Sequence, residues 1–117
     1  MTRDNVIYKL CKAFALRIIK LYKYLNDEKK EYIISKQIYR SGTSIGANIA
    51  ESIFAQSEAD YINKLKIALK EASETKYWLE LLYESNYIDE SQYNSLSNDI
   101  SIIIGTTINI INKLNKK

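Results

Sequence analysis

Ile34, Ile38, Ile45 and Ile49 recur at spacings of four, seven and four residues, and Gly42 and Gly46 fall inside that pattern without shifting it. A register that survives two backbone-flexible points is the signature of one continuous helical face, because residues three, four and seven apart share a side of a helix. The rest of the chain agrees. It contains no proline and three glycines in 117 residues, too little turn material for many short elements, so a few long helices with short connections are expected. The length suits a single domain spanning residues 1–117 with one core.

The segment RSGTSIGANIAES, residues 40–52, is the place where this expectation is most exposed. A phosphate-cradling loop needs a glycine-rich turn between a strand and a helix, with a lysine at its end. Here the glycines are four apart, no lysine follows and no strand precedes. Each glycine inside a helix costs about 1 kcal/mol relative to alanine, and close approach of a neighbouring helix is the natural compensation. The segment therefore reads as the tightly packed middle of the second helix, with Arg40, Ser44, Ala47 and Glu51 turned away from the isoleucine face.

The pattern divides the chain into four helical segments, at about 3–25, 27–55, 57–86 and 89–115. In the first, Ile7, Leu10, Phe14, Ile18, Leu21 and Leu25 share a face, and Lys9, Lys12, Lys20 and Lys23 cluster opposite. Leu16 and Ile19 fall among those lysines, and aliphatics on a solvated face point to a partner surface. Asn26 and Asp27 break the pattern and are expected to start the second segment. In the third, Tyr61, Leu65, Ala68, Ala72, Thr75, Leu79 and Leu82 form a seam. Ser57 with Asp60 forms a capping-box-like start, and Glu71, Glu74 and Glu80 lie off the seam as a solvated acidic face. Asp89 and Gln92 form a second box with Ile88 and Tyr93 as its staple. The fourth segment repeats at Tyr93, Leu96, Ile100, Ile103, Thr107, Ile110 and Leu114. Its β-branched SIIIGTTINII run favours a strand by propensity, but length and seven-residue regularity favour a helix.

The net charge of +3 conceals an asymmetry. Residues 1–40 balance to +6, residues 41–112 to −6, and Lys113, Lys116 and Lys117 close the chain. One positive surface is expected, on which these lysines and those of the first helix contact phosphates. The ten tyrosines sit in no base-binding motif and read as helix-edge packing. The absence of histidine removes histidine-based acid–base catalysis, the serine and cysteine triads and Glu-x-x-His metal pairs. A single cysteine supplies too few ligands for zinc and no disulfide partner, so Cys11 reads as a buried, inert thiol in a reducing cytoplasm. No catalytic residue, metal site or cofactor is expected. No apolar run reaches the roughly 20 residues of a membrane span, and the N-terminus lacks a signal-peptide core.

The run QIYRSGTSIGANIAES resembles the signature of the bacterial four-helix-bundle proteins named after the intervening sequences of 23S ribosomal RNA genes. That family includes the accessory variability protein of diversity-generating retroelements. Gln37, Ile38, Arg40, Ser41, Ser44, Ile45, Asn48, Ile49, Ala50 and Glu51 carry the likeness. So do Ser57, Leu65, Ala68, Glu74 and the TKYWLELL run, with Asp60-Tyr61 where the family prefers Glu-Phe. Ser52 stands where the family usually has glycine. The resemblance implies an antiparallel up-down four-helix bundle that assembles into a ring-like homo-oligomer, commonly a pentamer. It further implies a nucleic-acid-associated role, since the retroelement relatives bind nucleic acid and a cognate reverse transcriptase through a basic surface.

Two functions stay open on this reading. One is a non-enzymatic oligomer that binds RNA or DNA through Lys9, Lys12, Lys20, Lys23, Lys113, Lys116 and Lys117. The other is a protein-interaction scaffold in which Leu16, Ile19, Arg40, Ser44, Ala47 and Glu51 make subunit or partner contacts.

Overall fold

The computed structural model describes the backbone of residues 2–116 and the side chains of residues 6–116. It contains α1 (Thr2–Asp27), α2 (Ile34–Ser52), α3 (Glu58–Glu84) and α4 (Glu90–Asn115), with no strand among the described residues. Each helix packs against two others, in the cycle α1, α2, α3, α4 and back to α1, and the diagonal pairs stay farther apart. Arg40 reaches Glu74 while Lys64 reaches Glu51, Gly42 lies against Ile18 while Gly46 lies against Cys11, and Leu21 lines a recess with Leu96 while Leu10 lines one with Ile103, so α2 runs antiparallel to α3 and α1 antiparallel to α2 and α4. The result is an elongated bundle of 48 × 22 × 19 Å. No described helix is long and apolar enough to cross a membrane.

The core is the set of seams that periodicity predicts. Ile7, Phe14, Ile18 and Leu25 of α1 meet Ile38, Ile45 and Ile49 of α2, Leu65, Leu79 and Leu82 of α3, and Ile100 of α4, all at most 1% exposed. Burying each such side chain contributes about 1.5–3 kcal/mol. The SIIIGTTINII run is helical throughout. Thr107 shows how a β-branched polar residue is accommodated there: its buried hydroxyl donates to the Ile103 carbonyl one turn back at 2.7 Å.

Helix ends divide into those written locally and those that are not. Asp89 and Gln92 form the full capping box, and Tyr93 stacks on Tyr83 of α3 with centroids 4.6 Å apart. The Ser57 hydroxyl accepts from the Asp60 amide, whereas the Asp60 carboxylate turns to the Gln56 amide instead of closing the box on Ser57. α3 ends in a Schellman motif, with Asn86 left-handed at φ 68°, Tyr87 N–H donating to the Leu82 carbonyl and Asn86 N–H to Tyr83.

The second helix corrects its expected limits. It begins at Ile34, not near Asp27, which instead closes α1. Lys30 turns the chain at φ 55°, and the buried Glu31 carboxylate then accepts the amides of Ile33, Ile34 and Ser35 at 3.1, 2.9 and 2.7 Å. A charged acceptor for three orphan donors substitutes for a serine or aspartate cap. The helix ends at Ser52, not Ala55. Tight bonds from Phe54 N–H to the Glu51 carbonyl and from Ala55 N–H to the Ser52 carbonyl complete the exit.

Gly42 and Gly46 lie on the side of α2 that meets α1. A Cβ on Gly42 would stand 2.8 Å from Ile18 Cγ1, inside contact distance to a fully buried neighbour, and one on Gly46 would stand 3.4 Å from Cys11 Cβ. At Gly42 the two helices approach this closely only because a side chain is missing. Cys11 is sealed in this seam, and burial pushes its thiol up to about 12. Gly105 of α4 is different, with nothing within 4 Å of an added Cβ.

These environments give opposite expected signs for the same substitution. Gly105→Ala should raise unfolding stability by about 1 kcal/mol through helix propensity. Gly42→Ala should lower it by on the order of 1 kcal/mol, because overpacking of about 1–3 kcal/mol outweighs the same gain. Gly46→Leu should be worse than either. Denaturant unfolding of the variants checks the order; a stabilised Gly42→Ala would mean that α1 and α2 are not pressed together there.

Candidate nucleic-acid interface

From Val6 to Asn26 and from Tyr32 to Ala50 the chain contains no carboxylate. Those stretches are most of α1 and α2, which lie side by side, so the surface they form carries cations with no anion of its own. Lys9, Lys12, Lys20 and Lys23 are all exposed on the outward side of α1, and Lys36 is exposed on α2. None of the five enters a salt bridge among the described residues. From Lys9 to Lys23 the strip runs roughly 21 Å at 1.5 Å per residue. The lysines of α3, in contrast, share their helix with carboxylates, and Lys64 is paired with Glu51.

Aromatic rings line the same side. Lys12 Nζ lies 5.9 Å from the Tyr8 ring centroid. Tyr22 of α1 and Tyr39 of α2 meet edge to face across the seam, centroids 4.7 Å apart, and with Lys36 they line a shallow recess. Lys113 and Lys116 are exposed at the end of α4, which lies at the N-terminal end of α1 because the two helices are antiparallel. Lys117 lies outside the described residues.

Leu16 is 55% exposed amid the α1 lysines, and Ile19 is half-buried beside it. Ala47 is exposed. Arg40, Ser44 and Glu51 face away from the isoleucine core, as periodicity predicts, but within the subunit Arg40 and Glu51 serve the α2–α3 seam and Ser44 bonds back to its own helix. Arg40 donates to Glu71 at 2.9 Å and to Glu74 at 2.6 Å, the Ser44 hydroxyl donates to the Arg40 carbonyl, and Lys64 donates to Glu51 at 3.1 Å. Beneath them the buried Thr75 hydroxyl donates to Ser41 Oγ at 2.9 Å. Glu71 and Glu74 are thus ion-paired across helices, correcting their reading as a merely solvated face, whereas Glu80 is exposed. Spacing along one helix does not show which partner a neighbouring helix brings.

The signature stretch is therefore chemistry of helix packing. Its Gly42 and Gly46 admit α1, and its Arg40, Ser41 and Glu51 bind α3. A recess lies between α1 and α4, lined by Arg17, Lys20, Leu21, Tyr24, Gln92 and Leu96. At its edge Arg17 is committed to Asp99 at 2.7 Å and to the Ser95 hydroxyl at 2.9 Å. Among the described residues no three His, Cys, Asp or Glu side chains converge as a metal site would need.

Hydrogen bonds from Trp78 Nε1 and then from Arg40 hold the Glu74 carboxyl below the ordinary carboxylate value of 4.5. A carboxyl lowered in the folded state adds stability that is fully present above 4.5 and is lost as pH falls through its folded value. Glu74→Gln should therefore flatten the acid limb of stability, measured by urea unfolding between about pH 3 and pH 7. An unchanged limb would show that the Arg40–Glu74–Trp78 chain does not persist in solution.

The fold recurs among solved structures. A crystal structure from Bacteroides thetaiotaomicron, described as a protein of unknown function from the S23 ribosomal protein family, superposes with a TM-score of 0.93 at 57% identity, covering 94% of this chain and 98% of that one. A search of curated proteins found no match. The family model described as 23S rRNA-intervening sequence protein matches residues 3–109. With that match over nearly its whole length, the chain belongs to the 23S rRNA-intervening sequence protein family.

Proposed function

We propose that this chain is a non-enzymatic, self-associating bundle that grips the sugar–phosphate backbone of RNA or DNA through Lys9, Lys12, Lys20 and Lys23, extended by Lys36 and by Lys113, Lys116 and Lys117. One observation carries the reading: five exposed lysines on two adjacent helices have neither an ion pair nor a carboxylate among them. Unneutralised cations concentrated on one face attract a polyanion, and displacement of its counterions drives binding. The family resemblance supports the same direction and implies a ring, commonly a pentamer, that multiplies the few contacts of each subunit. It also implies a reverse transcriptase as a protein partner. The cytoplasm suits the lone reduced cysteine.

A second reading rests on Leu16, whose exposed aliphatic side chain stands in the middle of the lysine strip. In that reading Leu16 and Ile19, with Arg40, Ser44, Ala47 and Glu51, form a subunit or partner contact, and the lysines keep the scaffold soluble.

Sedimentation with a labelled oligonucleotide separates the two. For the first reading, binding should weaken steeply with salt, and changing Lys12, Lys20 and Lys23 together to Glu should cut affinity at least about tenfold and reduce the salt slope by roughly 0.9 for each lost duplex phosphate contact. Salt-insensitive binding, or none at low salt, removes it. For the second, Leu16→Asp with Ile19→Asp should dissociate the assembly while each subunit stays helical; an intact oligomer counts against that contact.

A further inference from the structure

We infer that the α1–α2 face carries a stacking subsite for unpaired bases, formed by Tyr22 and Tyr39 with Lys36 at its rim, so that the nucleic acid taken here is single-stranded. The inference rests on the backbone-contact reading above and adds a ligand class to it.

The aromatic pairs of the molecule are not equivalent. Tyr83 and Tyr93 lie nearly parallel, 12° apart, and cover each other's faces while joining α3 to α4. Trp78, paired with Tyr77, spends its ring N–H on Glu74. Tyr22 and Tyr39 meet at 62°, an arrangement in which one ring presents its edge and keeps its own faces uncovered by its partner. Tyr39 is 39% exposed, and neither phenol hydroxyl is hydrogen-bonded among the described residues. This pair opens into a recess with a lysine in its wall, on the face that lacks carboxylates.

Stacking and charge are the two elements of single-strand recognition: cations follow the backbone and rings receive bases, which any sequence can supply. A duplex keeps its bases within the stack and offers phosphates alone. It would satisfy the lysines and leave the rings unused. Tyr8 beneath Lys12 repeats the pairing of ring and cation 14 residues earlier on α1, roughly 21 Å away along the helix. A strand running along α1 would meet both.

The experiment is fluorescence anisotropy of the full chain with a labelled oligothymidine and with a mixed-sequence duplex of equal length, over a salt series. Single strands should bind at least about tenfold more tightly. Tyr39→Leu, alone or with Tyr22→Leu, should cost about 5- to 150-fold for the single strand, the range for loss of one stacked base, with the salt slope unchanged. Tyr22→Phe with Tyr39→Phe should retain affinity, since the ring face is kept. Because Tyr22 is partly buried, a second readout avoids dependence on folding: a 5-bromouracil-substituted strand irradiated on the unmodified protein should cross-link at Tyr22 or Tyr39. Equal affinity for strand and duplex, or cross-links only elsewhere, overturns the stacking subsite while the lysine reading stands. No binding to either nucleic acid at low salt overturns both.

Discussion

The glycine seam of α2 against α1, at Gly42 and Gly46, governs how the outer surfaces of the molecule are arranged. Ile18 occupies the space that a side chain at Gly42 would need, and Cys11 lies at contact distance from Gly46. The dispersion attraction of so close an approach offsets the propensity cost of two helical glycines. The same approach brings the outward sides of α1 and α2 together as one surface. Tyr22 can reach Tyr39, and Lys36 joins the cations of α1, because nothing bulky separates the two backbones.

The opposite flank of α2 is built on different physics. Toward α3 the contact is polar: a partly exposed arginine bridges two glutamates, a lysine meets Glu51, and a serine and a threonine share a buried hydrogen bond. Exposed ion pairs contribute little individually, but the buried Thr75–Ser41 bond fixes the axial register of the two helices, since a slip would leave both hydroxyls without that partner. The division has an electrostatic consequence. Glu71, Glu74 and Asp99 are engaged by Arg40 and Arg17 on the seams, and the lysines of the α1–α2 face keep their charge unneutralised.

Much of this architecture is legible along the chain. All seven seam residues assigned to the third helix are buried, as are six of the seven assigned to the fourth, Tyr93 being the half-buried one. Apolar periodicity reports burial directly. The Asp89–Gln92 box is equally readable, because capping is a bond between residues three apart. The start of α2 is not: its cap is Glu31, acting from within a loop, and the only local sign is an acid a few residues ahead of the isoleucine register. The Tyr22–Tyr39 pair leaves no sign along the chain, since the rings belong to different helices 17 positions apart.

The sequence by itself determined the helices, the inward face of each and the excess of positive charge at the start of the chain, because these depend on residues within one or two helical turns of each other. Tertiary structure decided which charges are neutralised and which rings lie beside free lysines. Those outcomes depend on the order in which helices become neighbours and on their axial register, and a hydrophobic period carries neither. Arg40 and Lys36 look alike in the sequence. Packing binds the first to α3 and leaves the second in the open recess beside Tyr39, because the two lie one turn apart on the same side of α2 and Arg40 is the one level with the Glu71 and Glu74 carboxylates.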